Sequence, residues 1–364
     1  MISRDKYAPI LKGKYGEFTA LSKLDDEIKQ NIIPIVDLLQ FVPQVVKDPK
    51  KKEKTFDDYV NTIIKYFSDK WDKERLIYID CYMTDDEGLL ENGIHPAKHL
   101  INNLIEKEFN VLPVFNNVVS LEYKQSIKEL TEKIGKGTGL RIYDITVERI
   151  NNEIEESLSF LNLAPNQIDL IIDLRSLIDS DTQNKIEFVT DIFDNLRYLS
   201  RWRSVVLAGG NFPIDLTDLA PNEVHALERK AWSVWNGLIN TAELERIPAF
   251  SDYAISHPKM SEFESDYPNA SASIRYTHKE NFYVYRGRGT RQRGFEQFYD
   301  ISETLINSPH FYSIEHCKGC EFIYECGNDK TSTGNLMKWR WVGTAHHITV
   351  VVNQLRQFFR DLSA

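Results

Sequence analysis

Residues 169–175 read DLIIDLR, a short apolar run that closes on an aspartate and an arginine. A run of this kind, bounded by polar residues, fits a strand buried on both faces, as in a parallel sheet. The same design recurs at 7–12 (YAPILK), 32–39 (IIPIVDLL), 76–82 (LIYIDCY), 111–116 (VLPVFN), 139–145 (GLRIYDI), 204–209 (SVVLAG) and 247–253 (IPAFSDY). Between these runs the spacing turns helical. TFDDYVNTIIKYFSDKW (55–71) sets Phe56, Tyr59, Val60, Ile63, Ile64 and Phe67 on one face, and 122–134 and 186–199 behave alike.

Strand and helix in alternation make βα units, which pair in parallel through right-handed crossovers. Eight in succession predict a (β/α)8 TIM-like barrel over residues 1–258, close to the ~250 residues such barrels use. An open doubly wound sheet shares the βα pattern, and the count of eight favours closure. Beyond it the pattern changes. Residues 259–364 are expected to form an appendage on the barrel. It would hold a β-hairpin in ASIRYTHKENFYVYRGRG (272–289), a helix over 295–306, a cysteine cluster and a final amphipathic helix over 347–362.

Composition narrows the class. The chain has 364 residues, 42% hydrophobic and 27% charged, with a net charge of −10, an ordinary soluble balance that argues against a general nucleic-acid coat. Four cysteines are too few for a secreted disulfide scaffold, so a reducing cytoplasm is the expected setting. The opening MISRDKYAPILKGK lacks an apolar signal core, and nothing approaches the roughly 18 apolar residues of a membrane span. The lysine-rich KDPKKKEK (47–54) reads as a solvated loop.

In a barrel the C-terminal strand ends share one face, and that face carries the chemistry. Here those ends are Lys12, Asp37, Asp80, Asn116, Asp144, Asp173 with Arg175, Gly209-Gly210, and Asp252. Aspartate is also a turn former and helix cap, but Asp37, Asp80, Asp144 and Asp173 fall within or directly at the end of their apolar runs, where a cap would sit later. Converging carboxylates are costly unless cations balance them. Lys12, which shares side-chain parity with Ile10, and Arg175 can do so; a divalent Mg²⁺ or Mn²⁺ ion on Asp and Asn oxygens is the other route. The expected catalytic set is therefore Asp37, Asp80, Asp144, Asp173 and Asp252.

The expected ligand is phosphate-bearing, either a small molecule or a single nucleic-acid strand. Lys12, Lys14, Asn116, Arg175, Gly209, Gly210, Arg275, Arg286 and Arg288 are expected to hold it. YRGRGTRQRG (285–294) alternates arginine with small residues, which lets guanidinium forks approach phosphate, although a solvated loop fits equally. HCKGCEFIYECGND (316–329) offers Cys317, Cys320, Cys326 and His316 as a tetrahedral zinc set, but one C-x2-C without a second spaced pair is weak evidence, and Cys326 reads as well as a buried thiol. His346 and His347 are adjacent at the start of the last predicted helix, so they point about 100° apart and cannot share a face. No Walker loop, G-x-S-x-G, H-E-x-x-H or Rossmann glycine pattern is present.

YAPILKGKYGEF (7–18), PIVD (34–37), FSDY (250–253), IRYT (274–277) and the closing KWRWVGTAHHIT (338–349) together resemble the phage beta-protein family. The resemblance runs colinearly along nearly the whole chain. It implies one full-length unit, a phage-related or mobile-element context and a role in phage–host conflict, with a protein partner encoded nearby; it supplies no reaction and no catalytic residues. Two readings follow. One is a metal-dependent phosphodiester or nucleotide hydrolase at the barrel mouth; the other is a binding or sensing module that engages a protein or nucleic acid, since barrels host many functions.

Overall fold

A computed structural model describes residues 1–43, 52–259 and 270–362. Most of the lysine-rich loop at 47–54 lies outside the described residues. The strands are β1 (Ile10–Leu11), β2 (Ile35–Asp37), β3 (Ile77–Asp80), β4 (Val111–Phe115), β5 (Thr138–Tyr143), β6 (Ile168–Ser176), β7 (Ser204–Gly210), β8 (Glu223–Glu228), β9 (Ala249–Asp252), β10 (Ser271–His278) and β11 (Asn281–Gly289).

Eight of these form one sheet in the order β1-β2-β3-β4-β5-β6-β7-β9, every neighbour parallel. The Ala8 amide donates to the Phe250 carbonyl at 3.1 Å, joining the two edges. The fold is the expected TIM-like barrel. All eight predicted strands are present, each within a few residues of its expected span.

Local chemistry explains the helices between them. Phe56–Lys70 starts at Thr55, whose hydroxyl accepts from the Asp58 amide at 3.2 Å while the Asp58 carboxylate accepts from the Thr55 amide at 3.1 Å. Leu121–Ile134 starts on Ser120 and stops at Gly135, whose φ of +67° only glycine adopts freely. Strand side chains alternate in period two. Ile10, Ile35, Tyr78, Val114, Ile171, Val206 and Ala249 fill the barrel interior. Leu11, Val36, Ile79, Ile172, Leu207 and Phe250 pack outward against the helices. That parity decides which strand-end residues reach the mouth.

Two features depart from expectation. Between β7 and β9 the chain makes an extra strand, β8, which pairs antiparallel with β11 and gives a three-stranded sheet in the order β10-β11-β8. The last helix is Leu336–Asp361, with about three turns more than expected lying ahead of the histidines. His346 and His347 therefore sit in its buried interior, not at its start. Among the described residues no helix is long and apolar enough to cross a membrane.

Candidate functional site

Asp37 on β2, Asp80 on β3 and Asp173 on β6 converge at the C-terminal end of the barrel, as their inward parity requires. They meet on Arg141, which projects from the middle of β5; all four side chains are fully buried. Arg141 Nη1 donates to Asp37 Oδ1 at 2.6 Å and to Asp80 Oδ2 at 2.9 Å. Its Nε and Nη2 donate to Asp173 Oδ2 at 3.0 and 2.8 Å, and Nη2 also reaches the Tyr253 hydroxyl at 2.7 Å. That hydroxyl donates to Asp173 Oδ2 at 2.6 Å. The cation that balances the carboxylates is thus Arg141, which reasoning from strand ends alone passes over.

Environment separates the three carboxyls. Burial pushes Asp80 up to about 6 against the pull of Arg141, with the Asp37 charge adding to the rise. Asp37 also moves up through burial, opposed by Arg141. For Asp173 burial works in the same direction, but Arg141, Arg175 and the Tyr253 hydroxyl outweigh it and hold the carboxyl below its ordinary range. The inward oxygens already face a guanidinium, and its charge would repel a divalent ion. The ring is therefore a closed ion-pair network, in which Arg141 takes the balancing role that the sequence left open to Mg²⁺ or Mn²⁺.

Arg175 closes the network from above. Its amide donates to Asp173 Oδ1 at 2.9 Å and its Nη1 to the Tyr82 hydroxyl at 2.7 Å. Its guanidinium lies 5.4 and 5.1 Å from the ring centres of Tyr82 and Tyr143.

Beside this network lies a cavity of about 400 Å³, between the ends of β1, β7 and β9, strand β10 and the last helix. Among the described residues Lys12, Lys14, Lys259, Arg275, Arg286 and Arg340 line it, with Asp215 the one lining carboxylate. The stretch Lys12-Gly13-Lys14 is built for this. Glu17, in the first turn of helix Tyr15–Lys23, accepts from the Lys12 amide at 2.8 Å and the Lys14 amide at 3.3 Å. Gly13 bends the chain at φ +60°, and a Cβ there would lie 3.3 Å from the Asp37 carbonyl.

The cations have few counter-charges among the described residues. Lys12 Nζ donates to the Lys259 carbonyl at 2.5 Å, and Arg275 Nη1 to the Ile255 carbonyl at 2.7 Å, with its guanidinium 4.4 Å from the Phe212 ring centre. Arg340 donates to Ser256 Oγ at 3.2 Å and lies 3.8 Å from Glu17. Burial lowers Lys12 to about 8, helped by Lys14 and opposed by Glu17 and Asp37. Burial also lowers Lys14, with Arg340 pushing the same way. Burial and then Arg340 disfavour the charge on Arg275. An anion entering here would relieve all three.

The remaining expected residues scatter. Asp144 is exposed, at φ +55°, because it follows the outward parity of Ile142 while Arg141 takes the inward one. Asp252 is buried but outward-facing, bonded to the Tyr7 hydroxyl and to His347 Nε2 at 3.1 Å, while His347 Nδ1 lies 2.8 Å from Thr277 Oγ1. Burial would raise Asp252, yet His347, Arg229 and Tyr7 hold it low. It joins the barrel to β10 and the last helix and does not enter the mouth.

Asn116 is buried, with neither side-chain polar atom partnered among the described residues. Gly209 and Gly210 lie inside β7, not in a phosphate-binding turn. A Cβ on either would stand 3.0 Å from Leu177 or Tyr253, so close packing accounts for both. Arg288 is exposed and away from the cavity, whereas Arg286 lines it. Cys326 faces the Phe298 carbonyl at 3.7 Å and leaves the cysteine cluster; His346 takes its place beside Cys317 and Cys320.

Several residues here were open to sequence reasoning. Arg141 is a lone charge inside an apolar strand, which by itself demands buried partners. Arg340 and Glu17 carried no signal beyond their type, because the fold brings them within 3.8 Å of each other from opposite ends of the chain.

No curated protein matches the sequence. Among solved structures, triosephosphate isomerase from Bartonella henselae is similar at 11% identity and a TM-score of 0.37, covering 69% of this chain and 93% of its own. A mandelate racemase/muconate lactonizing protein from Herpetosiphon aurantiacus is similar at 10% identity and 0.33, covering 79% and 64%. Type I 3-dehydroquinate dehydratase from Clostridium difficile is similar at 10% identity and 0.30, covering 71% and 88%. At these identities and scores no residue role passes to this chain. The family model described as Beta protein matches residues 7–353, nearly the full length, and the chain belongs to the Beta protein family.

Proposed function

We propose that the barrel mouth binds a small phosphate-bearing anion in the cavity lined by Lys12, Lys14, Arg275, Arg286 and Arg340. The observation that carries this reading is the imbalance of the lining, six cations to one carboxylate among the described residues, around a volume of about 400 Å³. Ligand cavities commonly run from ~300 to ~1,000 Å³, which suits a nucleotide or phosphosugar and is narrow for a folded polymer. Arginine forks and a lysine point charge recognise phosphate oxygens in complementary ways.

Lys12 has a second property. Buried, facing the cavity and titrating near pH 8, it is the group suited to hold or move a proton on a bound ligand. Turnover, if the ligand undergoes it, would run through Lys12 and not through the carboxylate ring, which Arg141 occupies. A metal-dependent hydrolase centred on Asp37, Asp80 and Asp173 is the weaker reading for that reason.

The test is thermal melting against a panel of orthophosphate, pyrophosphate, nucleotides and phosphosugars, with chelator present throughout. A native-state ligand at a hundredfold excess over its dissociation constant adds about 2.7 kcal/mol. The reading expects a rise in melting temperature for at least one phosphate compound that is lost in Arg275→Met. A panel without such a rise in the wild-type protein refutes it.

A further inference from the structure

Cys317, Cys320 and His346 bring their ligating atoms together in the buried seam between helix Lys318–Gly327, the last helix and β10. Cys317 Sγ lies 3.5 Å from Cys320 Sγ, and His346 Nδ1 lies 3.7 and 3.3 Å from the two sulfurs. Zinc bonds of about 2.3 Å to sulfur and 2.0–2.1 Å to nitrogen, set tetrahedrally, put ligand atoms about 3.8 Å (S to S) and 3.6 Å (S to N) apart. The three observed separations fall within a few tenths of an ångström of those edges.

The surroundings match a metal site in two further ways. His346 Nε2 lies 2.7 Å from the Thr277 carbonyl, a bond that places the proton on Nε2 and leaves the Nδ1 lone pair facing the sulfurs. The Cys320 amide donates to Cys317 Sγ at 3.3 Å at the N-terminus of helix Lys318–Gly327, which favours a thiolate. One neighbour is conspicuous. His316 precedes Cys317, its ring centre lies 5.5 Å from that of His346, and its Nε2 is buried without a partner among the described residues.

We propose that Cys317, Cys320 and His346 bind a thiophilic divalent cation, zinc first, with the fourth position left to His316 once its ring, now outside the cluster, turns toward the sulfurs. The ligand set differs from the one the local sequence suggests, because Cys326 points away and His346 arrives from the last helix. Binding displaces the thiol protons of Cys317 and Cys320, so zinc affinity falls at acid pH. With Cys317, Cys320 and His346 buried, the ion would staple the cysteine helix to the last helix and β10, whose Tyr276 hydroxyl lies 3.4 Å from Cys320 Sγ. The site is independent of the anion cavity, so either proposal can fail alone.

The experiment is metal analysis of the full chain purified from zinc-supplemented medium, followed by exchange into Co²⁺. The expected result is stoichiometric zinc and, with cobalt, the thiolate-to-metal charge transfer and visible bands of a tetrahedral S-rich site. Both signals should be lost in Cys317→Ser and Cys320→Ser and kept in Cys326→Ser, and His316→Ala should weaken retention against a chelator. Cys326→Ser and the wild-type measurement keep the test valid if the ligand variants fold poorly. A wild-type protein without zinc that also takes up no cobalt, or one whose Cys317 and Cys320 form a disulfide under the same conditions, overturns the proposal.

Discussion

Replacing Arg141 with methionine removes the buried cation while keeping most of the side chain's volume. Three carboxylates then share the barrel end, with Arg175 as the nearest positive group: it lies 3.9 Å from Asp173, and its side chain is 20% exposed. Removing one partner of a buried ion pair costs roughly 3–5 kcal/mol, and here three acceptors lose the same donor. About 4–5 kcal/mol at pH 8 is the expected loss, because part of the strain is relieved when one carboxyl takes up a proton.

That relief sets a pH signature. Without Arg141 the folded-state values of Asp37 and Asp80 rise further above the unfolded one. A group with a raised folded value contributes stability that is fully present below its unfolded value and lost as pH rises through the folded one. The Arg141→Met defect should therefore be largest above about pH 7 and shrink as pH falls below 6, where Asp80 already titrates in the intact network. Urea unfolding followed by tryptophan fluorescence at several pH values measures it. A second substitution, Asp80→Asn, should recover part of the loss, since it removes a charge Arg141 no longer balances. A defect under 1 kcal/mol at pH 8, or one that does not change with pH, would refute the assignment of Arg141 as counter-ion.

Three other outcomes follow from the same geometry. His347→Ala should cost about 2–4 kcal/mol, since it leaves buried Asp252 with less compensation; because Asp252 is held low, the wild-type contribution is present at neutral pH and fades as pH drops through the acid range, which parallel acid titrations of the two proteins would show. Gly210→Ala should cost about 1–3 kcal/mol and disturb the Tyr253 bond to Asp173, because the added Cβ meets the tyrosine ring at 3.0 Å; denaturant midpoints read the first effect and tyrosine absorbance the second. Asp144→Asn, at an exposed position outside the network and with a residue that tolerates its φ of +55°, should leave both the denaturation midpoint and phosphate binding unchanged.

Much of the barrel was legible because buried parallel strands are apolar on both faces and stand out against helical spacing. The extra strand β8 was not: EVHALE is exposed at four of its six positions, pairs only along β11, and lacks the continuous apolar run that marks the barrel strands. At the site, strand ends gave Asp37, Asp80 and Asp173, while parity, carried through every strand, would also have admitted Arg141 and excluded Asp144 and Asp252. The cysteine cluster shows the opposite limit. Local spacing nominates Cys326, but the third vertex comes from His346, 26 residues beyond Cys320, and only the packing of the last helix brings it there.

The most direct measurement is calorimetric titration of pyrophosphate into the wild-type protein and into Lys12→Met at pH 6.5, 8 and 9.5, in buffers of differing ionisation heat. Lys12 is depressed to about 8 by burial, so its charged form is disfavoured in the free protein and favoured once an anion is bound. The account predicts wild-type binding that weakens as pH rises through 8, with proton uptake on binding near that pH. In Lys12→Met both the uptake and about tenfold or more of the affinity at pH 6.5 should be lost, the value of one charged hydrogen bond. Binding of equal strength in the two proteins at all three pH values, or no binding in either, would contradict it.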